Sequence, residues 1–198
     1  MKSIAFLAAL ALCLAIVAPR ASAQDEENNN HGQFGVFLDY NRLGGIQGTH
    51  PNMFGIGGRL GVNLNPHIAL EGEMAYDFER NVTTGTTGLA NTSTSRLRLL
   101  TGLFGPKIST TGPVRLFAVL KGGFVNFGVG GPVTAGTINN QIGNIVDGNT
   151  DGVFYPGGGV EFNSGWLGIR LEAGDEMFFL NNGTQNNLRI TAGPQIRF

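Results

Sequence analysis

Over much of the chain, apolar and polar side chains change places at every step, the period of a strand with two unlike faces. In the segment beginning at Ile68, the residues Ile68, Leu70, Met74, Tyr76 and Phe78 share one parity; Ala69, Glu71, Glu73, Ala75 and Asp77 share the other. Phe54–Asn63 repeats the design, with Ile56, Gly58, Leu60 and Val62 set against Gly57, Arg59, Gly61 and Asn63. So does Leu167–Gly174, where Leu167, Ile169, Leu171 and Ala173 alternate with Gly168, Arg170, Glu172 and Gly174. In the last segment Leu188, Ile190, Ala192, Ile196 and Phe198 oppose Arg189, Thr191, Gly193, Gln195 and Arg197. Weaker versions at Gln33–Asn41, Ser95–Gly105, Val114–Phe127 and Val153–Asn163 bring the number of expected strands to eight.

The connections alternate in length. Short ones fall at Asn63–His67, Lys107–Gly112 and Asn163–Gly165, and long ones, rich in Gly, Asn and Thr, at 42–52, 80–94, 128–152 and 180–187. All long connections then lie at one end and both chain termini at the other, the arrangement of a transmembrane β-barrel.

Nearly all the charge falls on the less apolar parity: Arg59, Glu71, Glu73, Arg96, Arg98, Lys121, Glu161, Arg170, Glu172, Glu176 and Arg189. A basic side chain on the lipid face of a barrel costs about 2–4 kcal/mol at mid-bilayer, so segregation this strict suits a membrane. The expected architecture is all-β: an eight-stranded antiparallel up-and-down barrel with these charges inside. So thin a barrel is filled by its side chains. The interior should be ion-paired, with glycines making room for long Arg side chains. A soluble lipocalin-like barrel, with the faces inverted, is the alternative. Aromatics near strand ends (Phe34, Tyr40, Phe54, Tyr76, Phe78, Phe127, Phe154, Phe162, Trp166, Phe178 and Phe179) fit a girdle at the membrane boundaries.

Composition agrees. The chain holds 32 glycines, and 14 of its 18 aromatics are Phe. Glycine scattered through apolar segments disfavours helix by about 1 kcal/mol per position, and beyond residue 23 no apolar run reaches the 18 or so residues of a spanning helix. The start is different. Lys2 precedes an uncharged run of 15 residues, Ile4–Ala18, and Ala21-Ser22-Ala23 follows it. This is the pattern of a cleaved signal peptide. Cys13 lies in that run behind a bulky Leu12, which argues against lipidation. The domain reading is 1–23 signal peptide, 24–33 flexible tail and 34–198 barrel. Without Lys2 and Arg20, 11 basic residues stand against 14 acidic ones, which argues against a nucleic-acid binder, whose footprint is a basic patch. The cysteine-free remainder cannot be cross-linked by disulfides.

The chain ends on Thr191-Ala-Gly193-Pro-Gln-Ile196-Arg-Phe198. This is similar to the terminal β-signal read by the outer-membrane assembly machinery, with Thr191, Gly193, Ile196 and Phe198 at its positions. With Gly61 to Glu73 and Pro156 to Phe162, it makes the chain resemble the OmpA-like transmembrane β-barrel family over 34–198. The resemblance implies an eight-stranded barrel inserted in the bacterial outer membrane, among its lipid and lipopolysaccharide, by the barrel assembly machinery. No periplasmic cell-wall-binding domain is expected, so anchoring is not carried over. Pro194 interrupts the closing strand, where it cannot donate a ladder hydrogen bond; a bulge or one missing bond is expected.

No catalytic pattern stands out. For an enzyme acting on lipid A, Ser93 or Ser95 with His50, and Asp39 or Asp77, are the candidate groups, but the spacing forms no motif. His31, His50 and His67 fall in the tail, an outer connection and an inner turn, too dispersed for one metal. Pro156-Gly157-Gly158-Gly159 lacks the helix that a phosphate cradle needs, and Asp147–Asp151 lacks the later Glu of a calcium loop. No cofactor is implied. The expected role is a non-enzymatic scaffold displaying outer loops for surface interaction or membrane integrity, with a narrow pore or transporter as the alternative.

Overall fold

The first and last strands close on each other. In this computed structural model, which describes residues 31–44, 50–85, 92–130, 150–180 and 183–198, the Gly32 amide donates to the Phe198 carbonyl at 2.7 Å. The Phe198 amide returns the bond to the Gly32 carbonyl at 3.0 Å. Between those ends run β1 (Gly32–Arg42), β2 (Asn52–Asn63), β3 (Ile68–Gly85), β4 (Thr92–Ser109), β5 (Val114–Gly130), β6 (Thr150–Ser164), β7 (Leu167–Leu180) and β8 (Gly183–Arg197). Each pairs antiparallel with the next and β8 with β1, giving a closed eight-stranded barrel. No described residue is helical.

The inner turns are short for identifiable reasons. Between β2 and β3 the Asn65 side chain accepts the amides of His67 and Ile68 at 2.8 and 2.7 Å, an Asx turn. Gly165 turns β6 into β7 with φ 61°, a conformation few residues but glycine adopt.

Three prolines sit within strands, and each opens one seam only. A residue in an antiparallel ladder aims its N–H and C=O at the same neighbour, so a missing donor spoils one side. Pro194 pairs with Ile169 of β7 while the ladder to β1 lapses beside it, and the same register resumes at Leu38–Ala192. Pro106 likewise pairs with Leu70 and interrupts the seam to β5; Pro156 pairs with Leu120 and interrupts the seam to β7. The closing strand therefore loses pairing without a bulge. The register shift lies elsewhere, in β3 between Asp77 and Arg80.

Side-chain direction follows the alternation. Ile56, Leu60, Met74, Phe104, Leu120, Ile169 and Ile190 are exposed on the wall, an apolar belt that runs round the barrel. An apolar exterior over a charged interior is the arrangement that lipid requires.

Several sequence expectations are corrected. Arg96 and Arg98 point outward, because β4 turns its odd residues inward: Leu97, Leu99, Thr101, Leu103 and Lys107 are all buried. Lys107, expected in a turn, belongs to that strand. Phe127 and Phe178 are not girdle residues but meet inside the barrel, with ring centres 5.6 Å apart and nearly perpendicular. The connection expected at 180–187 is short, since Leu180 pairs with Gly183. β1 begins at Gly32, inside the segment expected as tail. The proposed signal peptide, with Ala21 and Ala23 at its cleavage site, lies outside the described residues.

Candidate functional site

The lumen has two levels. At the inner and middle level, all eight strands send charged side chains to a common axis. Arg170 on β7 is central. Its Nη1 and Nη2 donate to the two Glu71 oxygens at 2.6 and 3.0 Å, its Nε and Nη2 to Glu172 at 2.9 and 2.5 Å, and Nη1 also to Glu161 at 3.1 Å. Lys107 reaches Glu161 at 2.8 Å and Glu71 at 3.0 Å. Lys121 lies 2.7 Å from Glu73 and 3.3 Å from Glu172, and Arg59 Nε is 2.7 Å from Glu73. Arg189 holds Asp39 in a fork at 2.8–3.1 Å and Glu73 at 2.7 Å. Each cation meets at least two carboxylates, so breaking one pair leaves a charge still bridged. Charge-assisted, forked contacts of this kind are the strong ones.

Of the charges expected inside, Arg59, Glu71, Glu73, Lys121, Glu161, Arg170, Glu172, Glu176 and Arg189 are placed there, and Arg96 and Arg98 are not. The sequence reading missed Lys107, Asp39 and Asp77 as members of the lumen, and the balance changes with them. Five network cations face seven buried carboxylates: Asp39, Glu71, Glu73, Asp77, Glu161, Glu172 and Glu176. Arg197, also buried, has no ion pair among the described residues. The surplus is greatest at the outer end of the network. There Asp77 makes no ion pair and its Oδ1 has no hydrogen-bond partner, while Asn41 donates to Glu176. An unpaired buried acid costs stability. Asp77→Asn, which keeps the shape and removes the charge, is therefore expected to raise the unfolding free energy by about 1–2 kcal/mol. Chemical unfolding in detergent measures it; a lowered midpoint would show that the carboxylate is needed.

Glycines make this packing possible in a way the sequence reading assigned differently. They make room for rings, and the rings carry the cations. A Cβ on Gly157 or Gly174 would lie 2.8 or 2.7 Å from the Tyr155 ring, one on Gly159 would meet Phe117, and one on Gly57 would overlap Phe37. Arg170 then stacks on Phe117 at 3.9 Å, Arg59 on Phe37 at 4.8 Å and Arg189 on Tyr155 at 5.5 Å. Pro156–Gly159, considered above as a phosphate cradle, is thus a stretch of β6 wall behind Tyr155.

The outer level is apolar. Leu43, Met53, Leu97, Leu99, Val125, Phe127, Val153 and Phe178 are buried together at the outer side of the network. Met53, Leu99, Val125 and Phe178 are each 0 % exposed. This plug had a signal in the sequence, the Leu97, Leu99 and Leu103 series, but β4 carries leucine on both parities.

The candidate reactive groups are brought together only as far as the described residues show. Asp39 and Asp77 lie inside the barrel, and His50 Nδ1 is 3.3 Å from the Leu43 carbonyl oxygen. The side chains of Ser93 and Ser95, and residues 147–149 of the loop considered for calcium, lie outside those described. His67 sits at the inner turn with Nδ1 3.0 Å from the Ser109 carbonyl oxygen, and His31 lies at the start of β1.

The outer rim is basic on one side. Arg80, Arg96 and Arg98 are exposed at the outer ends of β3 and β4, above Tyr76 and Phe78, whose rings pack at 6.0 Å. Tyr40 and Phe54 make a similar pair at 5.1 Å on β1 and β2.

By sequence, no family model and no curated protein matches the chain. Its structure is similar to solved small barrels. Neisserial surface protein A aligns with a TM-score of 0.55 at 11% identity, over 85% of this chain and 97% of that one. Ail, the attachment invasion locus protein of Yersinia pestis, solved with the heparin analogue sucrose octasulfate, aligns at 0.51 and 16% identity over 84% and 99%. The outer membrane protein OprG of Pseudomonas aeruginosa aligns at 0.50 and 9% over 85% and 97%. The fold is that of a small eight-stranded outer-membrane β-barrel.

Proposed function

We propose that the chain is an integral protein of the bacterial outer membrane that acts as a rigid, non-conducting and non-enzymatic scaffold. It presents its outer connections for surface interaction or stabilises the membrane around it. Its partners are outer-membrane lipid and lipopolysaccharide, and the barrel assembly machinery that would read Thr191, Gly193, Ile196 and Phe198. The observation that carries the reading is the filled lumen. The ion-pair network blocks the inner and middle levels, and the plug of Leu99, Phe127 and Phe178 blocks the outer one. An ion entering from outside would meet this apolar layer, with Asp151 at its edge, before the ion-pair network. Loops on a rigid frame are where binding usually resides.

Planar-bilayer recording tests this reading. The parent protein is expected to give no steady unitary current, and shortening the plug with Phe127→Gly and Phe178→Gly to give at most brief openings, because the network beneath remains. Steady currents from the parent, altered in Glu172→Gln, would overturn the scaffold in favour of a narrow pore. Location is tested separately. The protein should fractionate with the outer membrane and migrate differently on a gel before and after boiling; recovery as a soluble periplasmic protein with one mobility would overturn the membrane assignment.

A further inference from the structure

The wall is not evenly covered. On the lipid-facing side of β1, β2, β3 and β8 it carries a shallow apolar groove of about 830 Å3. Gly58 and Ala192 form its floor, and Leu38, Ile56, Tyr76 and Leu100 are among the residues around it. The groove exists because small residues meet there. Val36 pairs with Gly58 and Gly58 with Met74, so one rung of the wall lacks a side chain between two larger ones. A Cβ added to Gly58 would find nothing nearer than the Gly35 carbonyl oxygen at 4.0 Å, which shows that the space is open.

The upper corner of the groove leads to the basic rim. Tyr76 and Leu100 are paired across β3 and β4, and both line the groove. The next outward-facing residues on those strands are Phe78 and Arg98, then, past the register shift in β3, the paired Asn81 and Arg96, with Arg80 exposed beside them. Arg98 lies across Gly128 of β5 rather than reaching for an acid, and Arg80 Nη1 donates to the Asn52 carbonyl. Glu79 is the acid of this rim, yet among the described residues no carboxylate pairs with Arg80, Arg96 or Arg98. β3 and β4 have 18 residues each, against about 9–11 needed to cross a bilayer. Their tops therefore stand at or beyond the outer boundary, where a basic residue on the lipid face costs little.

We infer that this groove and rim form a docking site for lipid A, the phosphorylated saccharolipid of the outer leaflet, with an acyl chain along Gly58 and Ala192 and a phosphate at Arg96 and Arg98. The inference rests on the membrane reading above. Charge complementarity selects the occupant. A lipid-facing groove is filled by an acyl chain, and unpaired guanidiniums at the height of the headgroups recognise phosphate by forked hydrogen bonds. A zwitterionic lipid offers those arginines a phosphate already shadowed by its own cation. Lipid A offers phosphates on a sugar with no such neighbour.

The test uses the full barrel in nanodiscs or micelles, titrated with bis-phosphorylated lipid A, dephosphorylated lipid A and phosphatidylglycerol. Native mass spectrometry counts bound lipid, and gel mobility before and after boiling confirms a closed barrel in every sample. The parent is expected to retain bis-phosphorylated lipid A selectively. Arg96→Gln with Arg98→Gln should weaken it by about tenfold or more, the loss of charge-assisted hydrogen bonds. Gly58→Leu, which fills the groove without touching the rim, should weaken it too. Equal binding of phosphatidylglycerol, or undiminished binding in either variant, would overturn the inference, as would no retention by a folded, inserted barrel. A protein that never inserts would instead defeat the membrane reading itself.

Discussion

Replacing Arg170 by methionine is expected to lower the unfolding free energy by about 3–5 kcal/mol, the usual cost of removing one partner from a buried ionic cluster. Arg170 is 2 % exposed and is the largest hub of the lumen, touching Glu71, Glu161 and Glu172 while its guanidinium stacks on Phe117. Methionine keeps the bulk over the ring and removes every charged contact. Three carboxylates would then be shared by Arg59, Lys107 and Lys121 alone, in a lumen that already holds more acid than base. Urea unfolding followed by fluorescence of Trp166, the chain's single tryptophan, reads the change. Adding Glu71→Gln to Arg170→Met should restore part of the loss, since it removes one of the three acids that Arg170 bridges. If the single variant stays within about 1 kcal/mol of the parent, the margin expected of a surface ion pair, the network fills space without holding the barrel.

The same network shows what the sequence made legible. Glu71 with Glu73, and Arg170 with Glu172, stand two residues apart in the stretches 68–78 and 167–173, whose other parity carries no charge, so their direction could be read directly. β4 could not be read that way. Leu97, Leu99 and Leu103 share one parity and Leu100 and Phe104 the other, and the polar residues divide too, with Arg96 and Arg98 against Thr101 and Lys107. Only the register with β3, which sets Glu71 opposite Gly105 and Glu73 opposite Leu103, fixes the phase. A pairing register is a non-local fact, and a one-residue slip reverses every side chain. The rings in the lumen were hidden for a related reason. The alternation alone assigns Phe37, Phe117 and Tyr155 no role, and it is the glycines beside them that leave these rings room on the inside.

Position-specific glycine gives the other large expected effect. At Gly193→Val no closed barrel should form. Gly193 lies on the inner side of β8 where that strand crosses β1, and an added Cβ would overlap the Val36 carbonyl oxygen and press on the Phe37 Cα at 2.6 Å. Both are backbone atoms of a neighbouring strand, so no side chain can swing away. The seam is also the one already weakened by Pro194, where the β1–β8 ladder lapses, and it has little pairing left with which to absorb a shift. Closure is what removes the free edges of a barrel, so strain here is not local damage but failure to complete the fold. The expected gel shows a single, unfolded mobility with or without boiling, and protease digests the sample fully. Gly58→Ala is the matched comparison, because its Cβ enters open space on the opposite face of the wall and should leave mobility and stability unchanged. A heat-modifiable Gly193→Val barrel would mean that the seam is looser than this close approach implies, and that Gly193 serves recognition of the last strand during assembly rather than the geometry of closure.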